Sequence, residues 1–335
     1  MTGPSSGGLL AVHAHPDDET LATGALLATW ADAGLPVTVV TCTRGELGEV
    51  IGPALAHLEG DGPTLAAHRE RELAAALVAL GVTDHLFLDS VEPVPGGPLA
   101  TPGRDARFSD SGMCWAGAAR AGRLEQEPDG AFVSVPLDDA AGRLAWVLRD
   151  RRPAVVATYD PGGGYGHPDH VRAHEVTARA VTLAAAAGWA PGTGSPYRVA
   201  AVLWAVRAES SLRAGYRELA ATAALRGTEP GLTLPSPVGP MPSLVVPDAA
   251  VELAVTVGPV LERLRAALRA HGTQVQAVTI RSPIGPERRL AGDVVGSFAL
   301  SNGVLVPLFA VEEYRFAPGA RSEDVVWPTG VRRVA

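Results

Sequence analysis

Leu9-Leu10-Ala11-Val12 runs without a break into His13-Ala14-His15-Pro16-Asp17-Asp18-Glu19, and Thr20-Leu21-Ala22-Thr23-Gly24-Ala25-Leu26-Leu27 follows at once. A short apolar run ending in polar residues reads as a buried strand, and a strand that passes through a tight turn into a helix is the repeating unit of a parallel α/β sheet. In such sheets, sites are built at the carboxyl ends of the strands. Here two imidazoles and three carboxylates stand at that end within seven residues. Pro16 stops the strand, so His15 and Asp18 flank the turn and could face one ion. The same residues also suit a polar loop with a capped helix, Asp17 or Asp18 serving as N-cap.

A second stretch has the same form. Asp160-Pro161-Gly162-Gly163-Gly164-Tyr165-Gly166-His167-Pro168-Asp169-His170 follows the strand-like run Ala154-Val155-Val156-Ala157-Thr158-Tyr159 and opens a helix. Both loops carry His-Pro-Asp, and five of the nine histidines (His13, His15, His167, His170, His174) lie in or beside them. These residues carry a resemblance. AHPDDE followed by GGGYGHPDH resembles the zinc-dependent deacetylases of the LmbE/PIG-L family. TCTRGELGEVIGP and SDSGM are similar to the branch of that family that removes acetyl from N-acetylglucosaminyl-inositol in mycothiol biosynthesis. The resemblance runs, with gaps, from about residue 9 to about residue 316.

The resemblance implies a metal-dependent amidohydrolase. A hydrolytic zinc centre needs three protein ligands and an open position, and His15, Asp18 and His170 would supply two imidazoles and a carboxylate, a set suited to Zn²⁺ or Fe²⁺. Asp17 is then left beside the ion as the base that takes a proton from water. Tyr165 would donate to the tetrahedral oxyanion. His167 would be the protonated donor to the leaving amine, with Asp169 orienting its ring. Arg69 and Asp110 would hold the inositol and sugar hydroxyls, although on pattern alone His68-Arg69-Glu70-Arg71-Glu72 is a run of helix-surface charges with i,i+3 and i,i+4 partners. His13, inside the apolar strand, reads as a packed histidine, and His174 as support behind His170. Residues 92–106 are longer than the family has there. That keeps open a deacetylase of another N-acetyl amino sugar from secondary metabolism, beside an amidase of mycothiol S-conjugates and a sugar-binding protein with an inactive metal site.

The rest of the chain bounds these readings. At 335 residues it can bury a full core. Strand, helix and second strand (37–43) in order imply parallel pairing of Rossmann type, but no G-x-G-x-x-G follows the first strand, so no dinucleotide is implied. Helices are expected at 65–80, 137–151, 171–187, 209–225 and 259–270, and further strands at 85–89, 198–206 and 251–257. Residues 90–135 read as a long loop, of the kind that serves as a lid or is disordered, and residues 227–247 as a hinge or excursion. The fold class expected is α/β: a Rossmann-like, mostly parallel sheet with helices on both faces (9–190), plus a smaller C-terminal α+β portion that completes the pocket (191–318). Residues 1–8 and 319–335 read as flexible tails. A net charge of −8 speaks against nucleic acid and anionic membrane partners, and no apolar run is long enough to span a bilayer. All 28 basic residues are arginine, which removes lysine Schiff-base chemistry. The partner expected is a small amino-sugar substrate, and Cys42 and Cys114 make no disulfide framework, so the cytoplasm is the expected compartment.

Overall fold

A computed structural model describes residues 7–92, 107–116, 120–189, 194–226, 230–281 and 293–334. In chain order the elements are β1 (Leu9–His13), α1 (Asp18–Asp32), β2 (Val37–Thr41), α2 (Gly62–Leu80), β3 (Asp84–Phe87), a hairpin of β4 (Cys114–Trp115) and β5 (Ala121–Gly122), and α3 (Leu137–Arg151). Then come β6 (Val155–Tyr159), α4 (Pro168–Ala185), β7 (Ala201–Ala208), α5 (Glu209–Arg226), β8 (Val245–Val246), β9 (Leu253–Thr256) and α6 (Leu261–Ala270). Strands β10 (Gln276–Ile280), β11 (Val294–Ala299), β12 (Leu305–Phe309), β13 (Val311–Phe316) and β14 (Val331–Arg333) complete the chain.

The central strands are buried on both sides, which is why they are apolar throughout rather than alternating. Leu9 and Ala11 of β1 enter one apolar cluster, while Leu10 and Val12 enter the other. Residues of α1, α2 and α6 fill the first cluster, and residues of α3 and α4 the second. The main sheet runs β14-β9-β13-β7-β6-β1-β2-β3, with β8 on β7. Pairing is parallel from β3 through β7 and antiparallel from β7 through β13 and β9 to β14. β1 pairs with β2 on one side and with β6 on the other, so the strand order reverses between β1 and β6. That reversal opens a crevice at the carboxyl ends of these two strands. Both histidine-bearing loops leave from it.

The parallel core with helices on both faces is the class expected. The sheet passes 190 without interruption, however, because β6 pairs with β7 from Val155↔Ala201 to Tyr159↔Ala205. The smaller antiparallel sheet β10-β11-β12 is the separate C-terminal feature. The third strand ends two residues before the expected 89, since Leu88–Ser90 is a 3-10 turn and Asp89 leaves the sheet to pair with Arg44. The strand expected over 198–206 lies at Ala201–Ala208. Residues 230–247 form an excursion whose returning end pairs as β8 with Arg207 and Ala208.

The expectation of a loose tail beyond Pro318 is corrected: β14 pairs with β9 from Val331↔Val255 to Arg333↔Leu253, and the Trp327 ring stands edge-on to Trp30 at 5.9 Å. A short strand in a Pro/Gly-rich stretch gives little sequence signal, yet it covers an edge that β9 would otherwise leave open. Residues 1–6, and 93–106 of the extended loop, lie outside the described residues. Cys42 and Cys114 are unpaired, and no helix among the described residues is long and apolar enough to cross a membrane.

Candidate active site

The β1 loop is built around Asp18, the first residue of α1. Its Oδ2 accepts the backbone N–H of His15 at 2.9 Å, which folds the carboxylate back into the turn. His15 Nδ1 lies 3.3 Å from Asp18 Oδ2, and His170 Nε2, from the start of α4, lies 3.3 Å from Asp18 Oδ1. One carboxylate therefore faces two imidazoles from two different strand-end loops. The far nitrogen of each ring is also engaged. His170 Nδ1 donates to the Gly163 carbonyl at 3.2 Å, and His15 Nε2 to Asp169 Oδ2 at 3.2 Å. Ring nitrogens of His15, His167 and His170 lie within 4.8 Å of one another, all buried, and a second grouping joins His15 with Asp110 and Asp169.

Charge in this cluster is sorted by the surroundings. Burial alone would raise Asp18, but His170 and His15 outweigh it and hold the carboxyl well below its ordinary range. Asp17, 9% exposed, is pushed well above that range by burial and then by the Asp18 charge. Asp17 is not a side-chain cap: it makes no capping hydrogen bond, and its backbone sits at φ 106°. Burial would lower His15, yet Asp110, Asp169 and Asp18 carry it well above its usual value.

The second loop revises two expected roles. The Asp169 carboxylate does not orient His167. It serves His15, and it accepts the Ser111 hydroxyl at 2.5 Å and the Ser111 N–H at 2.9 Å. Only the backbone N–H of Asp169 reaches His167, donating to Nδ1 at 3.1 Å. A ring whose Nδ1 accepts a hydrogen bond carries no hydrogen there and so is not an imidazolium, which puts the hydrogen of a neutral His167 on Nε2. Burial and the neighbouring His15 and His170 push it the same way, well below its ordinary value. The expected protonated donor is thus corrected to a neutral one. Tyr165 stands edge-on to His170 at 5.2 Å and to His167 at 6.0 Å, and burial keeps its phenol protonated.

Arg69 is 3% exposed, so it is no helix-surface charge. Its guanidinium donates to the carbonyls of Gly45 and Glu49, the latter at 3.0 Å, and Gly48 lies so close that a Cβ there would meet Arg69 Nη2 at 2.8 Å. Asp110 meets the same loop, accepting the Leu47 N–H at 3.3 Å, while its other oxygen accepts the Gly112 N–H at 2.8 Å and lies 3.7 Å from His15 Nε2. Both expected substrate residues therefore bear on one wall, built by residues 45–49. His13 packs as expected: its Nε2 donates to Thr23 at 2.9 Å, and burial lowers it to about 4. His174 donates to the Tyr159 carbonyl at 3.0 Å, behind His170.

Sequence alone does not single out four contributors. Tyr159 stacks on His170 at 4.2 Å, accepts the Ala14 N–H at 2.9 Å and bonds the Asp18 carboxylate, so one side chain ties both loops together. Its position in an apolar strand makes it look like core. Ser111 is visible only as part of a motif. His271 and Gln274, which contact Glu19 and Pro16, stand more than 250 residues away, where no spacing rule links them to the loop.

A Rossmann-like sheet with imidazoles and carboxylates converging where its strand order reverses defines the class, α/β proteins with a buried His/Asp centre at the strand ends. The chain belongs to the PIG-L family, described as GlcNAc-PI de-N-acetylase, whose profile matches residues 10–181. Relatives match over nearly the whole chain. A 1D-myo-inositol 2-acetamido-2-deoxy-alpha-D-glucopyranoside deacetylase from Kineococcus radiotolerans is 44% identical over 313 residues, covering 93% of this chain and 77% of that one. Proteins of the same name from Streptomyces avermitilis and a Nocardioides species are 42% and 38% identical, covering 93% and 94% of this chain and 92% and 93% of theirs.

Proposed function

We propose that this protein hydrolyses the N-acetyl group of an N-acetylglucosaminyl-inositol, a step of mycothiol biosynthesis, releasing acetate and the free amine. The observation that carries the chemistry is the pair of imidazole nitrogens, His15 Nδ1 and His170 Nε2, facing the two oxygens of Asp18. Each ring's other nitrogen is held by an acceptor, Asp169 or the Gly163 carbonyl, which is how metal-binding histidines are oriented. This donor set fits a divalent ion, and His15, Asp18 and His170 would hold Zn²⁺ or Fe²⁺. The substrate class comes from the relatives' shared name at 38–44% identity.

A bound ion supplies polarisation of the amide carbonyl and a more acidic water. The remaining work falls to the chain's own residues. Asp17 removes the proton as the water oxygen bonds to the carbonyl carbon, and returns it to the nitrogen as the C–N bond breaks. The Tyr165 hydroxyl and His167 Nε2–H donate to the oxygen that gains charge. Arg69 and Asp110 shape the 45–49 wall, against which the inositol half lies. The two unpaired cysteines suit a reducing compartment, and we place the enzyme in the cytoplasm.

The test is free-amine release, with acetate measured beside it, by the metal-loaded protein from N-acetylglucosaminyl-inositol, a mycothiol S-conjugate and free N-acetylglucosamine. The pseudodisaccharide should have the highest kcat/KM. A preference for the S-conjugate or for another N-acetyl sugar would overturn the substrate assignment, and no hydrolysis of any amide by the loaded protein would overturn the reaction.

A further inference from the structure

Asp17 is one of three described non-glycine residues with positive φ. A conformation that L side chains rarely adopt persists only where the surroundings impose it. Both polar atoms of the Pro16–Asp17 peptide are gripped. The Asp17 N–H donates to Glu19 Oε2 at 3.0 Å, and the Pro16 carbonyl accepts Gln274 Nε2 at 2.6 Å. Glu19 is itself held through its other oxygen, which accepts His271 Nε2 at 2.8 Å and the Thr20 hydroxyl at 2.5 Å. His271 and Gln274 belong to one turn after α6, closed by the Gln274 and Val275 N–H groups on the His271 carbonyl at 3.0 and 2.8 Å. Thr273 anchors that turn to α2, its N–H and hydroxyl meeting the two oxygens of Glu72 at 2.8 and 2.6 Å.

We propose that this turn is a clamp on the Pro16–Asp17 peptide, which holds the Asp17 carboxylate where it removes the proton. His271 and Gln274 are thereby positioning residues for the base. Glu19 and His271 are fully buried, and Gln274 is 8% exposed. Gln274 Oε1 and His271 Nδ1 are buried without a partner among the described residues. A turn selected for stability alone would not carry two unsatisfied polar atoms, since each costs free energy. The grip on the strained peptide is what these residues supply in return. The clamp lies outside residues 10–181, the stretch that matches the family profile.

The inference rests on Asp17 being the base, and the test separates the two. Gln274→Met keeps the volume and removes the donor. In the metal-loaded enzyme acting on N-acetylglucosaminyl-inositol, it should lower kcat about 10²-fold, the effect of misplacing a reacting group by about 1 Å. KM and bound-metal stoichiometry should be unchanged. In an Asp17→Asn background, the same substitution should cost nothing further, because a clamp without its base has nothing to position. His271→Gln keeps a donor to Glu19 and should retain most of the activity that His271→Leu loses, with the same dependence on background, so the outcome does not hang on one variant folding. Wild-type kcat in Gln274→Met, or an undiminished loss on top of Asp17→Asn, overturns the clamp alone. Wild-type kcat in Asp17→Asn removes the base assignment, and the clamp with it.

Discussion

Asp17 and Asp18 are neighbours in the chain, yet the turn sends them into different surroundings. Asp18 faces two imidazoles and is held ionised, while Asp17 is raised first by burial and then by that charge. Two carboxylates pushed apart in this way divide a ligand's role from a base's. Asp17→Asn should therefore keep its metal and a near-normal KM, with kcat lower by about 10²–10⁴-fold, whereas Asp18→Asn should lose metal by elemental analysis. If Asp17→Asn loses the ion and Asp18→Asn keeps it, the two roles are exchanged. At this scale sequence carries far, because His15 and Asp18 sit three residues apart and one turn brings them together. It fails where a role depends on which atom of a residue points inward. Asp169 stands next to His170 in the chain, but its carboxylate serves His15 and only its N–H reaches His167.

The glycine run of the second loop could be read as a mobile element, but it is pinned. Asp160 accepts the N–H groups of Gly162 and Gly164 at 2.7 Å each, and the excursion that ends in β8 adds Ser243 on the Gly162 carbonyl at 2.9 Å and Leu244 N–H on the Gly164 carbonyl at 2.8 Å. The glycines are there for shape: Gly163 has φ +66°, and a Cβ on it would meet Val171 N at 2.7 Å and His170 Cβ at 2.9 Å. Gly163→Ala should displace His170 and weaken metal binding by about 10–100-fold, read by chelator competition. Unchanged affinity would mean that the loop relaxes without moving the ligand.

At the opposite end of the sheet, Asp84 of β3 receives Arg151 of α3 at 2.7 Å and the Thr38 hydroxyl at 2.8 Å. The Arg151 bonds hold its carboxyl below the ordinary value. A depressed carboxylate stabilises the fold above its unfolded value and loses that contribution as pH falls. Asp84→Asn should thus lower Tm near pH 7, by a deficit that shrinks as pH falls below the ordinary carboxylate value. Because the pair is more than a third exposed, the effect is worth at most about 1 kcal/mol. A deficit that persists at acid pH would point to packing instead. Elements of this kind are legible where a period is long: 137–151 reads directly as a helix, while β3 is displaced because Asp89 is drawn off to Arg44.

Across the whole molecule, the parallel half of the sheet is legible from its apolar strands, and its antiparallel extension is not. β13 pairs with β7 across a separation of more than a hundred residues, and β14 closes the edge from a stretch rich in Pro and Gly. Such long-range pairing leaves no local signature. The last strand nevertheless carries weight. Val325 is buried, Trp327 packs on the fully buried Trp30, and the Gly330 carbonyl and Val334 N–H bond the backbone of Thr256 and Glu252 at 2.9 Å each. Deleting residues 319–335 removes these side chains, each worth about 1.5–3 kcal/mol when fully buried, and bares β9, whose Leu253 and Val255 are fully buried. The truncated protein should melt at least about 5 °C lower and form concentration-dependent aggregates through the open edge. No described contact of residues 319–334 reaches the histidine cluster, so the fraction that remains folded should keep its metal and its kcat. Differential scanning calorimetry, light scattering and active-site titration on the same sample decide it. An unchanged melting point with a monodisperse protein would make β14 a passive fringe, and a loss of kcat per folded molecule would mean that the edge strand also supports the site.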